Sequence, residues 1–195
     1  MGRLGAASSG FSHAYKKMSI TSRKVSCLEG NVQDKRRRGP LTLLIQLIYT
    51  SQVSSDFREH EIPELLKAIR PANAKLQITG MLFFLRTAFL QVLEGEADSV
   101  DCAYARVLVD KRHTQVMTIS RDPIEERSFP NWTMDFATID PVEAGEIIGD
   151  PGAFTDGARV RIDSRSANRL IAAFRRPKWQ HGGGRLMSPT ARRGQ

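Results

Sequence analysis

The chain has 195 residues, of which 41% are hydrophobic and 26% are charged. This length is typical of one domain with extensions. No apolar stretch approaches the roughly 20 residues that a membrane-spanning helix needs, and residues 1–40 lack the continuous apolar core of a secretory signal. The two cysteines, Cys27 and Cys102, are far apart in the chain, which predicts reduced thiols and a cytoplasmic protein.

The net charge of +8 is concentrated at the two ends of the chain. Residues 1–40 carry 9 basic and 2 acidic groups (+7), residues 141–195 carry 10 and 5 (+5), and residues 41–140 carry 10 and 14 (−4). The cluster Lys35–Arg38 has the charge to contact nucleic acid, but such a run in a Gly/Ser-rich segment is usually a solvated tail. We therefore predict disordered segments over residues 1–40 and 178–195, and no nucleic-acid or membrane partner.

Strand-like and helix-like patterns alternate in the middle of the chain. Strands are predicted over residues 43–49, 77–85, 89–95, 116–120 and 132–137, and helices over about 61–72 and 97–110. The order βαββαβ plus one strand predicts an α+β fold, with a ferredoxin-like sheet and two helices on one face. This domain is predicted over residues 41–140. Two shorter helices, over residues 143–148 and 164–174, predict a helical C-terminal extension within residues 141–177.

Polar side chains stand within or beside the predicted strands. Gln91 lies inside an apolar run, so its amide needs either a buried partner or the exposed face of an alternating strand. Tyr49, on pattern alone, is a strand-end tyrosine with its hydroxyl in solvent or on a carbonyl. Trp132 and Met134 are two positions apart and are predicted to share one strand face, where core packing is a sufficient role for both.

Five motifs follow one another in the order and at the spacings that are typical of BLUF domains, the blue-light sensors that use flavin. They are Tyr49-Thr-Ser51, Asn73-Ala-Lys75 with Thr79-Gly80, Phe89-Leu-Gln-Val-Leu-Glu-Gly95, Asp110-Lys-Arg-His113 and Phe129-Pro-Asn-Trp-Thr-Met134. The region that resembles these domains covers about residues 42–137. The resemblance implies FAD or FMN, held noncovalently between the two helices.

The resemblance also implies a photoactive switch made of Tyr49, Gln91, Trp132 and Met134. In such domains the tyrosine gives an electron to the excited flavin and a proton follows. The glutamine then rearranges, by rotation or tautomerisation or both, so that a new hydrogen bond reaches a flavin carbonyl and the absorption shifts to the red. Which of Trp132 and Met134 faces the flavin stays open at this level.

The cofactor-binding residues that the resemblance implies are Tyr49, Ser51, Asn73, Lys75, Gln91, Arg112 and His113. The Asn73 carboxamide matches an adjacent carbonyl and N–H of the flavin ring, although Asn is also common at helix C-termini. Lys75 stands where the family often has Arg, which suggests a contact to the ribityl or phosphate part. Arg112 and His113 fit equally well as solvated cations after a helix. His113 has no second His or Cys at ligand spacing, so no metal site is predicted.

About 55 residues follow the predicted sensor, too few for a cyclase or cyclic-dinucleotide phosphodiesterase domain. We therefore expect a short, stand-alone BLUF protein that forms a homo-oligomer and signals through a separate partner protein. No phosphate-binding glycine loop or Ser-His-Asp arrangement is present in the sequence. Glu94 and Glu96 have no nucleophile nearby and are interpreted as strand-end residues, so we predict no enzymatic activity.

Two other functions share this order of strands and helices. An acylphosphatase-like enzyme needs an anion-binding loop with Arg after the first strand, and residues 49–55 supply none. An RNA-binding module would combine the basic tails with exposed aromatic side chains on its central strands, for which Phe83, Phe84 and Phe89 are candidates. The RNA-binding module is the main alternative to the flavin sensor.

Overall fold

The computed structural model describes residues 43–154, residue 160 and residues 162–174. The predicted disordered segments, residues 1–40 and 178–195, lie outside these residues. The division into a sensor domain over residues 41–140 and an extension over residues 141–177 stays a prediction.

One five-stranded sheet organises the described residues. Its strands are β1 (Leu44–Val53), β2 (Thr79–Leu85), β3 (Ala88–Glu96), β4 (His113–Pro123) and β5 (Asp135–Thr138). The strand order is β4-β1-β3-β2-β5, and every neighbouring pair is antiparallel except β2 and β5, which are parallel. The predicted ferredoxin-like sheet with an added strand is therefore confirmed.

Four α-helices pack on this sheet. They are α1 (Ile62–Lys75), α2 (Ala97–Val107), α3 (Pro141–Ile148) and α4 (Ser164–Phe174). Since α1 joins β1 to β2 and α2 joins β3 to β4, right-handed crossovers place both helices on the same face. The C-terminal helices α3 and α4 contribute buried side chains to the core on the opposite face. None of the helices in the described part of the chain has the length and apolar character that a bilayer crossing requires.

Helix α1 is longer than its apolar pattern predicts. Its first turn contains a proline, whose missing N–H costs nothing there because N–H groups of the first turn have no acceptor within the helix. The helix runs through Pro71, continues past Ala72, where the prediction ended it, and closes at Lys75. Pro71 is exposed, whereas the next turn buries Asn73 with 7% of its surface accessible. Gln77 then adopts a positive φ of 55° and turns the chain into β2.

Three strands differ most from their predicted bounds, because cross-strand pairing, and not apolar content, sets where a strand ends. β1 continues beyond Tyr49 to Val53, pairing with β3 as far as Gln52 and with β4 as far as Val53. β4 begins at His113 and is about twice as long as its apolar segment. β5 begins at Asp135 and not at residue 132. The segment before β5 is therefore not part of a strand.

The central strands β1, β2 and β3 are largely buried on both faces, and each face is named by what it carries. The C-terminal face presents Ile48, Leu90 and Phe83 to the apolar side of α3 and α4, where the Phe83 and Phe174 ring centroids are 4.9 Å apart. The switch face carries Tyr49 and Gln91, which are directly opposite each other in the β1–β3 register. The chemistry predicted from the sequence thus lies on the face that α1 and α2 cover.

Candidate functional site

Tyr49 and Gln91 form a buried pair at the centre of the switch face. Cross-strand neighbours in an antiparallel sheet have Cβ atoms about 5 Å apart, so the β1–β3 register alone brings the two side chains together. The Tyr49 hydroxyl donates a hydrogen bond to Gln91 Oε1. Tyr49 is 0% and Gln91 is 5% exposed, so water does not compete for this contact. Gln91 has a buried partner and does not lie on an exposed strand face.

Met134 extends the hydrogen-bond chain, whereas Trp132 does not. The Gln91 amide Nε2 donates to Met134 Sδ at 3.1 Å. Trp132 is partly buried on the C-terminal face, and its ring is stacked on Phe129 with centroids 5.6 Å apart. The prediction that Trp132 and Met134 share one strand face is wrong, because β5 begins only after both residues and the preceding chain is irregular. The structure places Met134, and not Trp132, against Gln91.

The segment that carries Met134 is held through its backbone carbonyls. The three successive carbonyls of residues 132–134 accept hydrogen bonds from Gly80 N–H at 2.9 Å, Asn73 Nδ2 at 2.9 Å and Arg70 Nε at 3.0 Å, in that order. Asn73 and Arg70 are one helical turn apart on α1. This spacing is the only sequence signal for Arg70, and pattern reasoning did not identify it.

An aromatic group surrounds the Tyr49 ring. Tyr104, on α2, has its ring centroid 5.3 Å from that of Tyr49, and the His113 ring centroid is 6.1 Å away. Phe89 packs against His113 at 4.9 Å. The Tyr104 hydroxyl shares a hydrogen bond of 2.7 Å with Thr118 Oγ1. Tyr104 was not predicted as a site residue, since only the packing of α2 on β1 brings it close to Tyr49.

The aromatic residues that an RNA-binding sheet would need are not available on the surface. Phe83 is 0%, Phe84 is 4% and Phe89 is 0% exposed. Single-stranded RNA recognition of this type requires exposed rings on which bases stack. The alternative function suggested by these three residues is therefore not supported.

Burial sets the protonation of the two titratable rings in the site. Burial, followed by the nearby Tyr104 and Asp110, raises the pKa of Tyr49 well above its ordinary value, so the phenol keeps its proton near neutral pH. Burial lowers the pKa of His113 to about 4, so its imidazole is neutral at pH 7. His113 Nδ1 is 2.8 Å from Ser51 Oγ, in hydrogen-bond contact. The interpretation of His113 as a solvated cation is therefore wrong.

The two other predicted cations, Lys75 and Arg112, form no hydrogen bond with Tyr49 or Gln91 in the described part of the chain. Arg112 is partly buried and binds Asp110, with Nη2 at 2.5 Å from Oδ2 and Nε at 2.9 Å from Oδ1. Lys75 is the last residue of α1, and its side chain is exposed. Three of the predicted residues, Tyr49, Gln91 and Met134, are connected by hydrogen bonds. Three more lie beside them: Asn73 bonds to the residue before Met134, His113 packs near Tyr49, and Ser51 bonds to His113.

The side chains of the switch face fit the chemistry of a flavin ring. The polar edge of that ring has one N–H with a carbonyl on each side, so a site that binds it must offer both hydrogen-bond donors and acceptors. The carboxamides of Gln91 and Asn73 each provide both, and their amide groups bond to the neighbouring residues Met134 and Thr133. A largely apolar and aromatic surface with a few placed polar groups is typical of cofactor sites.

Comparison with known proteins decides the family. A family model for BLUF domains, described as sensors of blue-light using FAD, matches residues 44–135. The solved BLUF domain of BlrP1 is 30% identical, with a TM-score of 0.51, and the match covers 70% of this chain and 91% of that chain. The chain belongs to the BLUF family. Its BLUF domain is a sensor of blue light that uses a flavin, and the domain itself is not an enzyme.

Two further BLUF matches differ in what they show. The β subunit of the photoactivated adenylate cyclase of Euglena longa is 35% identical over 96 residues, which are 49% of this chain and 11% of that subunit. The chain thus spans about a tenth of the length of the curated relatives matched first. The photo-activated state of BlsA is 20% identical with a TM-score of 0.62 and is covered completely (100%), so it shows the same fold.

Proposed function

We propose that this BLUF protein is a blue-light photoreceptor in which the hydrogen-bonded pair Tyr49–Gln91 is the switch and a separate partner protein receives the signal. The observation that supports the proposal is the continuous buried chain from the Tyr49 hydroxyl through the Gln91 amide to Met134 Sδ. When bound, the flavin absorbs blue light and accepts an electron. The protein supplies the electron donor, the mobile proton and the amide that rearranges.

Tyr49 is the electron donor in this proposal. Because its pKa is raised by burial, the resting side chain is a neutral phenol, and the electron leaves before the proton. A phenol that has lost an electron is strongly acidic, so its proton moves along the existing hydrogen bond towards Gln91 Oε1. No water or ionised group is needed for this step, since the acceptor already lies in contact with the hydroxyl.

Gln91 would convert that transient movement into a lasting rearrangement: the electron and the proton return to Tyr49, while the amide keeps its new arrangement. Its carbonyl accepts from Tyr49 and its Nε2 donates to Met134, so turning the amide, or moving a proton within it, exchanges the donor and acceptor ends. A hydrogen bond contributes about 0.5–1.5 kcal/mol net, and a buried unpaired donor costs about 1–3 kcal/mol. Re-pairing one amide therefore changes the balance between two packed states without any change in covalent structure.

Met134 is the first residue outside the pair to respond. When Gln91 Nε2 no longer donates to its sulfur, the side-chain contact that holds Met134 against Gln91 is lost. The carbonyls of residues 133 and 134 accept from Asn73 and Arg70, so a displacement reaches α1 as well as β5. We propose α1 and β5 as the elements through which the partner protein senses the lit state.

The proposed cofactor is FAD or FMN. Gln91 and Asn73 hold the polar ring edge, while Tyr49, Ser51 and the neutral His113 line the same region. Lys75 and Arg112 are proposed for the anionic phosphate part, because they provide cations at the C-terminal end of α1 and after α2. We further propose a cytoplasmic homo-oligomer, which light scattering of the purified protein in darkness and in light would test.

The absorption spectrum of the purified protein, before and after blue light, tests the switch. The wild-type protein is expected to show a flavin band that shifts slightly to the red and recovers in darkness. Tyr49→Phe and Gln91→Leu should each retain bound flavin and lose the shift. Tyr104→Phe is the matched control, because its hydroxyl bonds to Thr118 and not to Gln91, and it should keep the shift. A normal shift in Gln91→Leu would contradict the proposed mechanism.

A further inference from the structure

Glu94 is a fully buried carboxylate to which the proposed switch assigns no role. It is 0% exposed and lies inside β3, so its interpretation as a strand-end residue is wrong. Three residues after Gln91 on an alternating strand, it points to the C-terminal face. Its Oε1 accepts from Gln46 Nε2 at 2.7 Å and from Ser128 N–H at 3.0 Å, and its Oε2 accepts from Phe129 N–H at 3.0 Å.

These bonds fasten the loop of residues 127–129 to the sheet, and a second set acts on the same loop. Arg127 Nη1 donates to Thr79 Oγ1 at 2.8 Å and to the Glu94 carbonyl at 2.5 Å, while Arg127 Nη2 donates to the Gln77 carbonyl at 2.7 Å. The loop is thus attached to β3 from inside by a buried carboxylate and from outside by a guanidinium. Charge-assisted hydrogen bonds are about twice as strong as neutral ones.

The anchored loop leads directly to the segment that contacts Gln91. Phe129, whose N–H binds Glu94, stacks on Trp132, and the Trp132 carbonyl accepts from Gly80 N–H. Two residues later Met134 Sδ accepts from Gln91. The segment of residues 128–134 is therefore bound at its start to the Glu94 carboxylate, on one face of β3. At its end it contacts Gln91, on the other face of β3.

We infer that Glu94 is a positioning residue that holds the loop of residues 127–129 in place and thereby keeps Met134 against Gln91 in the resting state. The inference rests on the proposed function. Glu94→Gln replaces one acceptor oxygen by an NH₂ group, which faces a backbone N–H and cannot accept from it. One attachment of the loop is lost while the size and shape of the side chain are kept.

Trp132 reports on the anchor without any flavin. In a Trp179→Phe background Trp132 is the only remaining tryptophan, since the chain contains two. Quenching of its emission by acrylamide in the flavin-free protein should increase about threefold in Glu94→Gln, because a detached loop exposes the Phe129–Trp132 stack. Glu96→Gln is the matched control: it makes the same charge change on the same strand, and among the described residues Glu96 has no bond to the loop. It should leave the quenching unchanged.

The flavin-loaded protein tests the effect on the switch. A loosened segment returns Met134 to its resting contact with Gln91 less readily. Dark recovery of the red-shifted band should therefore be about threefold to tenfold slower in Glu94→Gln and unchanged in Glu96→Gln. Arg127→Met removes the outer attachment without altering a buried charge, and should change both measurements in the same direction by less. It replaces Glu94→Gln if that variant does not fold.

Each combination of results has a distinct meaning. Increased quenching together with slower recovery supports the positioning role. Unchanged quenching in both loop variants overturns the anchor, and increased quenching with an unchanged recovery rate reduces Glu94 to a structural residue. A wild-type protein that binds flavin but shows no red shift contradicts the proposed function, and the quenching result then decides on the anchor alone.

Discussion

The buried pair Tyr49–Gln91 predicts a specific pattern of unfolding free energies that does not depend on flavin. Tyr49→Phe removes the hydroxyl and leaves Gln91 Oε1 without its donor, whereas Gln91→Leu leaves the Tyr49 hydroxyl without its acceptor. Both groups are buried, so water cannot replace the lost partner. Each single variant therefore leaves an unsatisfied polar group in the core, and the double variant leaves none.

The magnitudes follow from that difference. A buried donor or acceptor that loses its partner costs about 1–3 kcal/mol, while replacing both partners by apolar groups of similar shape is close to neutral. We expect each single variant to lower the free energy of unfolding by about 1–3 kcal/mol. The double variant should lose no more than either single variant, which gives a coupling energy of at least about 1–3 kcal/mol.

Urea unfolding of the flavin-free protein, followed by circular dichroism, measures these values. Tyr104→Phe combined with Gln91→Leu is the matched control, because Tyr104→Phe removes a hydroxyl that is hydrogen-bonded to Thr118 and not to Gln91. That combination should be additive within about 0.5 kcal/mol. Additive costs for Tyr49→Phe and Gln91→Leu would show that the two side chains do not form this buried bond, and would refute the basis of the switch.

Two further predictions concern the frame around the pair. Gly80 has a φ of +158°, and a Cβ at this position would lie 1.9 Å from the Val92 carbonyl oxygen. Gly80→Ala should therefore lower the free energy of unfolding by more than about 2 kcal/mol. Gly152→Ala is the control and should change it little, because a Cβ there would lie 3.7 Å from Asp150 Oδ1. A tolerated Gly80→Ala in the same urea assay would contradict this. Burial lowers the pKa of His113 from 6.5 to about 4, so between these pH values the unfolded chain binds a proton that the folded protein does not bind. The free energy of unfolding should therefore be fully retained well above pH 6.5 and fall by about 2–3 kcal/mol as the pH is lowered to 4. His113→Gln should flatten that dependence, and parallel pH curves for the two proteins would argue against a buried, neutral His113.

The sequence by itself determined the architecture and the family. Apolar runs such as Leu43–Tyr49 and the helical spacing after Glu61 are local signals, because burial of one strand or one helix face depends on neighbours within a few residues. The order of these elements leaves few ways to arrange a sheet. Polar residues at set positions, with Tyr49 and Gln91 foremost, were enough to indicate a BLUF domain.

Only the tertiary structure decided which side chains meet. The β1–β3 register sets Tyr49 opposite Gln91. Because β5 begins only at Asp135, the irregular chain before it places Trp132 and Met134 on opposite faces of the sheet. Tyr104 meets Tyr49 because α2 crosses β1, although 54 intervening residues separate them in the chain.

The roles of Glu94 and Arg70 show the same limit most clearly. Glu94 resembled a strand-end acid because nothing near it in the sequence reveals that Ser128 and Phe129 would donate to its carboxylate. Arg70 was not singled out from the sequence, because its bond to the Met134 carbonyl depends on a loop 64 positions later. Local patterns predict which residues are buried, whereas partners distant in the chain are selected by strand register, helix crossing and loop path, which exist only once the whole domain has packed.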